Sequence, residues 1–356
     1  MIREGYLESY QMILETRSPV FVGSGQSCNK VEYYMDANKR KVSILDDEKF
    51  FSFLIDKGLI EKYESFILNP NIGYLYEFLS ENSVTEQEVD SFTRYHIRCG
   101  QGLENGRSLK EIWMFCRDHY GRPYIPGSSL KGALRTAILT GLLLQKNYLQ
   151  VNDKNAKKLE QAYLNTLKVT EDPKDEQNSI LRGLSVSDSE IISSDDMVLC
   201  GKWDLTPSGK RKQLSLVREC VRAGVKIRSR ITIDRSIWKD RDLKFLEQCI
   251  QAFGKHYKAT YLPYYSNYKG CEIPADNQML VIGGGSGYFS KNIVYAALGK
   301  DKHAQAVKLV SSVMKKQFPR HYHDKDEQVG ISPQNLKCTY YNQNFYHYGV
   351  CSVGFK

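Results

Sequence analysis

The chain has 356 residues, enough for two ordinary domains with packed cores, and carries 50 Lys/Arg against 41 Asp/Glu, a formal net charge of +9. That balance, with 24 tyrosines, leans towards a polyanionic partner such as nucleic acid. The start lacks an apolar signal core and no apolar run reaches the roughly 18 residues of a membrane span, so a soluble, cytoplasmic protein is expected; nine cysteines without a Cys-x-x-Cys pair read as reduced, buried thiols, excluding a zinc ribbon or a thioredoxin-type redox pair.

In chain order, "YLESYQMILETRSPVFVGSGQ" reads as a strand that ends in a glycine-rich turn, and "KVEYYMDANKRKVSILD" as a hairpin around Asn38. From Asp47 to about Leu79 the pattern is helical, with breaks at Gly58 and Asn69-Pro70, and Thr85-x-x-Glu88 fits a capping box. Strand-like runs follow at "FTRYHIRC" and "EIWMFCRD", then a helix to about Tyr148. Residues 151–180 are polar, helical and then loose. The strands "GLSVSDSEII", "MVLCGKWDLT", "QLSLVREC" and "VKIRSRITID" come next, and a long helix begins near Asp242. Then come the strand "MLVIGG", a glycine loop, the helix "FSKNIVYAAL", a helix over His303–Gln317 and a last strand "YGVCSVGF". Mixed order with many hairpins predicts an α+β fold, its sheets covered on one face, rather than one parallel sheet.

Three constellations carry chemistry. In "PYIPGSSLKGALRTAI", Pro126 and Gly127 set a turn, Ser128 or Ser129 is a good N-cap, and Leu130, Leu134, Ile138 and Leu142 form the buried stripe. Lys131 and Arg135 lie on its flank. A cation in the first turn opposes the helix dipole, whereas a phosphate at the free N–H groups would reverse that sign; a capped core helix with a solvated lysine is the plain alternative. Between Lys202 and Arg241 stand 12 Lys/Arg and 4 Asp/Glu, a net of +8. There Lys226, Arg228 and Arg230 alternate with apolar residues, placing the cations on one strand face about 6.8 Å apart. Lys210, Arg211 and Lys212 fall at a hairpin tip leading into this tract. In "VIGGGSGYFSKN", Gly283, Gly284, Gly285, Ser286 and Gly287 follow an apolar strand, a loop able to bring backbone N–H groups to phosphate, but neither a dinucleotide fingerprint nor a P-loop.

Catalytic candidates are thin. His119 could act as a general base for RNA cleavage with a lysine, but nothing local pairs with it. His321 and His323 read as surface histidines, and Asp36 and Asp188 as isolated carboxylates. No cofactor and no metal are expected.

The motif "YIPGSSLKGALRTAI" resembles the signature helix of the RAMP superfamily, RNA-binding proteins of CRISPR effector complexes. "ILETRSPVFVGSGQ" is similar to that family's first strand and following glycine loop, and "LVIGGGSGYFSKN" to its C-terminal glycine-rich loop. Length, and "LSVSDSEII" after the central helix, are most similar to the fifth Csm subunits of type III-A systems. The resemblance implies two ferredoxin-like, RRM-related domains with helical insertions, expected here over residues 1–180 and 181–356. It implies a structural role at the 3′-end side of the CRISPR RNA and in its maturation. The implied partners are CRISPR RNA and target RNA, the backbone RAMP subunit, the small helical subunit and accessory host nucleases. The expected RNA-binding residues are Gly23, Ser24, Ser128, Ser129, Lys131, Arg135, Lys210, Arg211, Lys212, Lys226, Arg228, Arg230, Gly283, Gly284, Gly285, Ser286, Gly287 and Lys291. Target cleavage is not expected, because "GSGQSCNK" holds no acid; a RAMP-type processing endoribonuclease is the alternative.

Overall fold

A computed structural model describes residues 2–36, 38–69, 71–101, 103, 109–146, 156–266 and 277–356. In chain order its strands are β1 (Ile2–Glu4), β2 (Leu7–Thr16), β3 (Gly23–Asn29), β4 (Tyr33–Asp36), β5 (Lys41–Leu45), β6 (Thr93–Cys99), β7 (Glu111–Phe115), β8 (Leu184–Val186), β9 (Met197–Leu205), β10 (Arg211–Val221), β11 (Lys226–Asp234), β12 (Met279–Val281), β13 (Leu336–Tyr341), β14 (Asn344–His347) and β15 (Val350–Phe355). Its helices are α1 (Asp47–Asp56), α2 (Ile60–Ile67), α3 (Leu75–Glu81), α4 (Glu86–Ser91), α5 (Gly127–Leu144), α6 (Ala156–Leu164), α7 (Leu243–Thr260), α8 (Val294–Leu298), α9 (His303–Gln317) and α10 (Asp326–Val329). None is long and apolar enough to cross a membrane among the described residues.

The strands form two sheets. The first runs β12-β15-β2-β11-β8, with β1 beside β2. Along the chain its core reads β2, α5, β8, β11, α7, then β12 and β15, and β2 is flanked by β11 and β15, both antiparallel to it. Period-two alternation sorts its faces: Met12, Leu14, Ile227, Ile231 and Ile233 are buried, while Lys226, Arg228 and Arg230 are exposed. The buried face joins the apolar stripe of α5 and that of α7, where Leu246, Cys249, Ile250 and Phe253 are buried.

The second sheet runs β3-β7-β10-β9-β6-β5-β4, with the β13–β14 hairpin paired to β9 beyond β6. Both sheets take strands from each side of residue 180, so the boundary expected at 180/181 does not coincide with a break between sheets. Between β5 and β6 a module of four short helices packs a core of its own, with Phe50, Leu54, Tyr63, Phe78 and Phe92. Here the capping box is made: Thr85 accepts the Glu88 N–H and Glu88 accepts the Thr85 N–H. All eight described cysteines are free thiols, seven of them buried.

Two expectations are corrected and one element is added. The glycine-rich segment after the first strand is itself an edge strand, Gly23–Asn29, bulged against β7. The helix expected across "FSKNIVYAAL" is confined to Val294–Leu298, because Asn292 Oδ1 accepts the Val294 N–H and turns the chain there. The β13–β14 hairpin, in "LKCTYYNQNFYH", was not anticipated at all.

Candidate nucleic-acid interface

The start of α5 is built differently from the sequence expectation. Pro126, not Ser128 or Ser129, occupies the N-cap position, and no side chain on the helix caps it. The cap comes from elsewhere: the Gly127 N–H donates to Asp188 Oδ1 at 2.7 Å. The surrounding segments are zipped together, since Ser189 N–H donates to the Ile125 carbonyl, Ile125 N–H to Ser189 Oγ, and Ile192 N–H to the Pro123 carbonyl, all within 2.9 Å. Gly127 is required by this approach, because a Cβ there would collide with the backbone of Val186 and Ser187. Asp188 is thus a helix cap rather than an isolated carboxylate, and it supplies the anion that the dipole favours. Lys131, one turn in, is half-buried, and burial lowers its pKa.

Further along α5 the three motifs meet. A cleft of about 580 Å³ is lined by Gly23 and Gly25 of β3, by Ser129, Gly132 and Arg135 of α5, and by Gly283, Gly284 and Lys291 of the glycine-rich loop. Segments about a hundred or more residues apart in sequence therefore share one wall-to-wall site. Arg135 is not free in it: it pairs with Glu160 of α6 at 2.5 Å. Ser24 lies just outside, exposed, its hydroxyl accepting the Gln26 N–H. Ser128 is exposed at the helix start.

The glycine-rich loop is held from beneath. Gly284 N–H donates to the Phe21 carbonyl at 2.8 Å, and the Ser286 hydroxyl bonds the Gly283 carbonyl and Ser290. His347 Nε2–H donates to the Ser286 carbonyl at 2.9 Å; burial pushes this imidazole down to about 4, against the opposing pull of that hydrogen bond. Under the loop lies Arg218, only 4% exposed, in contact with the rings of Phe21, Tyr348 and Trp113 at 5.2, 5.2 and 6.0 Å. Its Nε and Nη1 have no hydrogen-bond partner. Gly285, at φ +78°, passes directly over it, and a Cβ there would strike the guanidinium. Gly287 passes Lys337 in the same way. The aromatic faces supply cation–π attraction to a charge otherwise costly to bury. Lys202, close by, has its pKa lowered by burial and then by Lys337 and Arg218. Sequence reasoning missed Arg218 and His347; the visible signal was an arginine beside a glutamate inside the otherwise apolar end of a strand.

The second part of the interface is the open face of the first sheet. Lys226, Arg228 and Arg230 stand opposite Glu15, Ile13 and Gln11 of β2. A groove of about 630 Å³ on this face reaches from Gln11, Arg228 and Arg230 to Asp188, the α5 cap. Arg228 lies 3.4 Å from Glu190, both well exposed, an ion pair of little energetic weight. In the third part, Lys210 closes the turn of the β9–β10 hairpin, whereas Arg211 and Lys212, expected at its tip, begin β10, with Arg211 over the Phe345 ring at 4.8 Å.

The proposed catalytic alternatives look different in three dimensions. His119 is exposed with its ring against Tyr120. His321 is exposed, but His323 is buried and bonded to Asp326 at 2.8 Å, which corrects its reading as a surface histidine. Asp36 is buried and accepts the Lys39 N–H, closing the hairpin around Asn38.

The pattern of the RAMP superfamily matches residues 13–260. The chain belongs to the RAMP superfamily. Relatives named "CRISPR system Cms protein Csm5" match it over most of their length. The protein of Streptococcus thermophilus is 32% identical over 82% of both chains. That of Mycobacterium tuberculosis strain H37Rv is 27% identical over 99% of this chain and 98% of its own. Among solved structures, a chain in a Csm–crRNA–target RNA ternary complex of a type III-A CRISPR-Cas system matches with a TM-score of 0.69 and 17% identity, covering 97% of this chain and all of its own. The crystal structure of T. onnurineus Csm5 matches with a TM-score of 0.61, also at 17% identity, covering 96% and 99%.

Proposed function

We propose that this protein is a CRISPR RNA-binding structural subunit of a type III-A Csm effector complex. The observation that carries the reading is the convergence of three distant glycine- or proline-glycine-containing segments on one cleft. The names of the relatives, Csm5, and the type III-A Csm complex that contains the structural neighbour supply the assembly. The first sheet, with its β-α-β-β-α-β order and β2 held between β11 and β15, is read as one ferredoxin-like unit, and the second sheet as the other RAMP domain carrying the helical insertion. The RNA backbone would follow the cleft and the basic sheet face, near the 3′ end of the CRISPR RNA. Partners would be CRISPR RNA, target RNA, the backbone RAMP subunit and the small helical subunit. Its part in 3′-end maturation would be to hold RNA for an accessory nuclease, itself non-catalytic and cytoplasmic.

The test is direct. Purified protein is incubated with repeat-containing RNA across a salt series, with and without divalent metal. Retained, uncut RNA with an affinity that falls steeply with salt supports the reading. A flat salt response overturns it, and metal-independent cutting abolished by His119→Ala would favour the endoribonuclease instead.

A further inference from the structure

At the far end of α5 from the cleft, a separate pocket of about 700 Å³ opens between Leu144, the last turns of α7 and the start of α9. Its polar lining is one-sided. Lys255, His256, Lys300 and His303 face it, with Thr260 and Tyr264, and no described lining residue is a carboxylate. Nothing in the RNA-binding reading uses these groups.

The two histidines have a defined arrangement. His303 Nε2 lies 2.8 Å from the Gly330 carbonyl, an acceptor only, so this nitrogen donates. Tyr264, whose hydroxyl donates to the same carbonyl at 2.7 Å, braces the ring. His256 Nδ1 lies 3.3 Å from Thr260 Oγ1, while its Nε2 is buried without a hydrogen-bond partner. Burial, followed by Lys300 and His303, pushes the His256 imidazole down to about 4. Two lysines with no carboxylate among the described lining residues, beside a buried imidazole nitrogen that has no hydrogen-bond partner, are arranged for an anion.

We propose that this pocket binds a nucleotide through its phosphate monoester, with Lys255 and Lys300 on the phosphate oxygens and His256 Nε2–H donating to one of them. The volume far exceeds a bare phosphate ion, and Leu144, Pro263 and Tyr264 offer apolar and aromatic surface for the remainder of the ligand. Binding supplies the missing counter-charge and stabilises the imidazolium, so the site takes up a proton as it fills.

The experiment follows the His256 ring by NMR at pH 6.5 while full-length protein is titrated with adenosine 5′-monophosphate, with adenosine and with sodium phosphate. Saturable AMP binding, adenosine weaker by about tenfold or more, and an upward move of the His256 titration midpoint are expected. A Lys255→Ala/Lys300→Ala double variant, both side chains being exposed, should weaken AMP by at least about tenfold and leave repeat-RNA affinity unchanged. His256→Gln should abolish the proton uptake while retaining most of the affinity. An RNA oligonucleotide ending in a phosphate monoester that competes with AMP would identify a strand end as the source of the group; failure to compete identifies the free nucleotide. No saturation by about 10 mM AMP, equal binding of adenosine and AMP, or a double variant that binds as the wild type does would overturn the proposal. Because repeat-RNA binding is measured alongside, failure here is separable from failure of the RNA-binding reading.

Discussion

The helical module at residues 46–90 and the tract at 202–241 are nearly equal in length and opposite in charge. The first holds 11 Asp/Glu and 3 Lys/Arg, a net of −8, and the second is +8. The modest overall +9 therefore hides a sorted molecule. The module closes its own aromatic core, in which Phe50 meets Tyr63 and Phe92 at 5.3 and 5.0 Å, and its surface repels a phosphate chain. The tract threads through both sheets and turns its cations outward on β11. Fold stability and polyanion affinity should thus separate cleanly between the two.

The most forceful way to break that comparison is Phe50→Ala. Loss of a buried ring should cost the module about 3–5 kcal/mol, seen as faster hydrogen exchange over residues 47–92, with RNA affinity kept within about twofold. A parallel collapse in RNA affinity would show that the module is not independent. Next in size is the triple change Lys226→Ala/Arg228→Ala/Arg230→Ala. On an exposed face it should leave the melting temperature nearly unchanged, weaken RNA on the order of 50-fold near physiological salt and reduce the salt slope by about 2; an unaltered slope would make the face merely solvated.

Acidification sets the helical module apart from the sheets by another route. Buried His347 stays neutral in the native state down to about 4, whereas an unfolded histidine takes its proton below about 6.5. Its contribution is therefore complete above that ordinary value and is lost as pH falls towards 4, by about 2 kcal/mol between pH 7 and 5. Urea titrations of the wild type and His347→Asn should show the wild type losing more. Exchange over residues 46–92, which contain no histidine, should not follow. The smallest effects belong to the start of α5. Asp188→Ala removes the Gly127 cap and should cost about 1 kcal/mol. Lys131→Ala should raise the stability of the free protein by about 0.3–1 kcal/mol. If a phosphate is gripped there, the RNA salt slope also falls by about 0.7; an unchanged slope leaves the helix mouth to Asp188 alone.

Local pattern was legible where local forces decide. The Asn38 hairpin, the Thr85–Glu88 box, the alternation of β11 and the His303–Gln317 helix all follow from periodicity and capping within a few residues. What escaped was set by partners far along the chain. Ser128 looked like a cap, but Asp188, about sixty residues away, does that work from another segment. Gly23–Asn29 looked like a loop because its pairing partner, β7, lies beyond the inserted module. The residue 180 boundary followed composition, while strand pairing ignored it. Of the candidate cleft, Gly23, Ser129, Arg135, Gly283, Gly284 and Lys291 could be named from sequence. That Gly285, Ser286 and Gly287 serve the packing of Arg218, His347 and Lys337 rather than the cleft could not.

The position of β2 bears on how this protein is made. It is synthesised well before β15, one of its two central neighbours, with Thr16 paired to Cys351 and Met12 to Phe355. The helical module can close as soon as β6 has been synthesised, but the edge of β2 that β15 covers must wait unpaired until the residues between them have been added. An open edge is a template for another chain. Termination between β6 and Val350 would therefore release a polypeptide with a finished acidic module attached to a nucleus for aggregation.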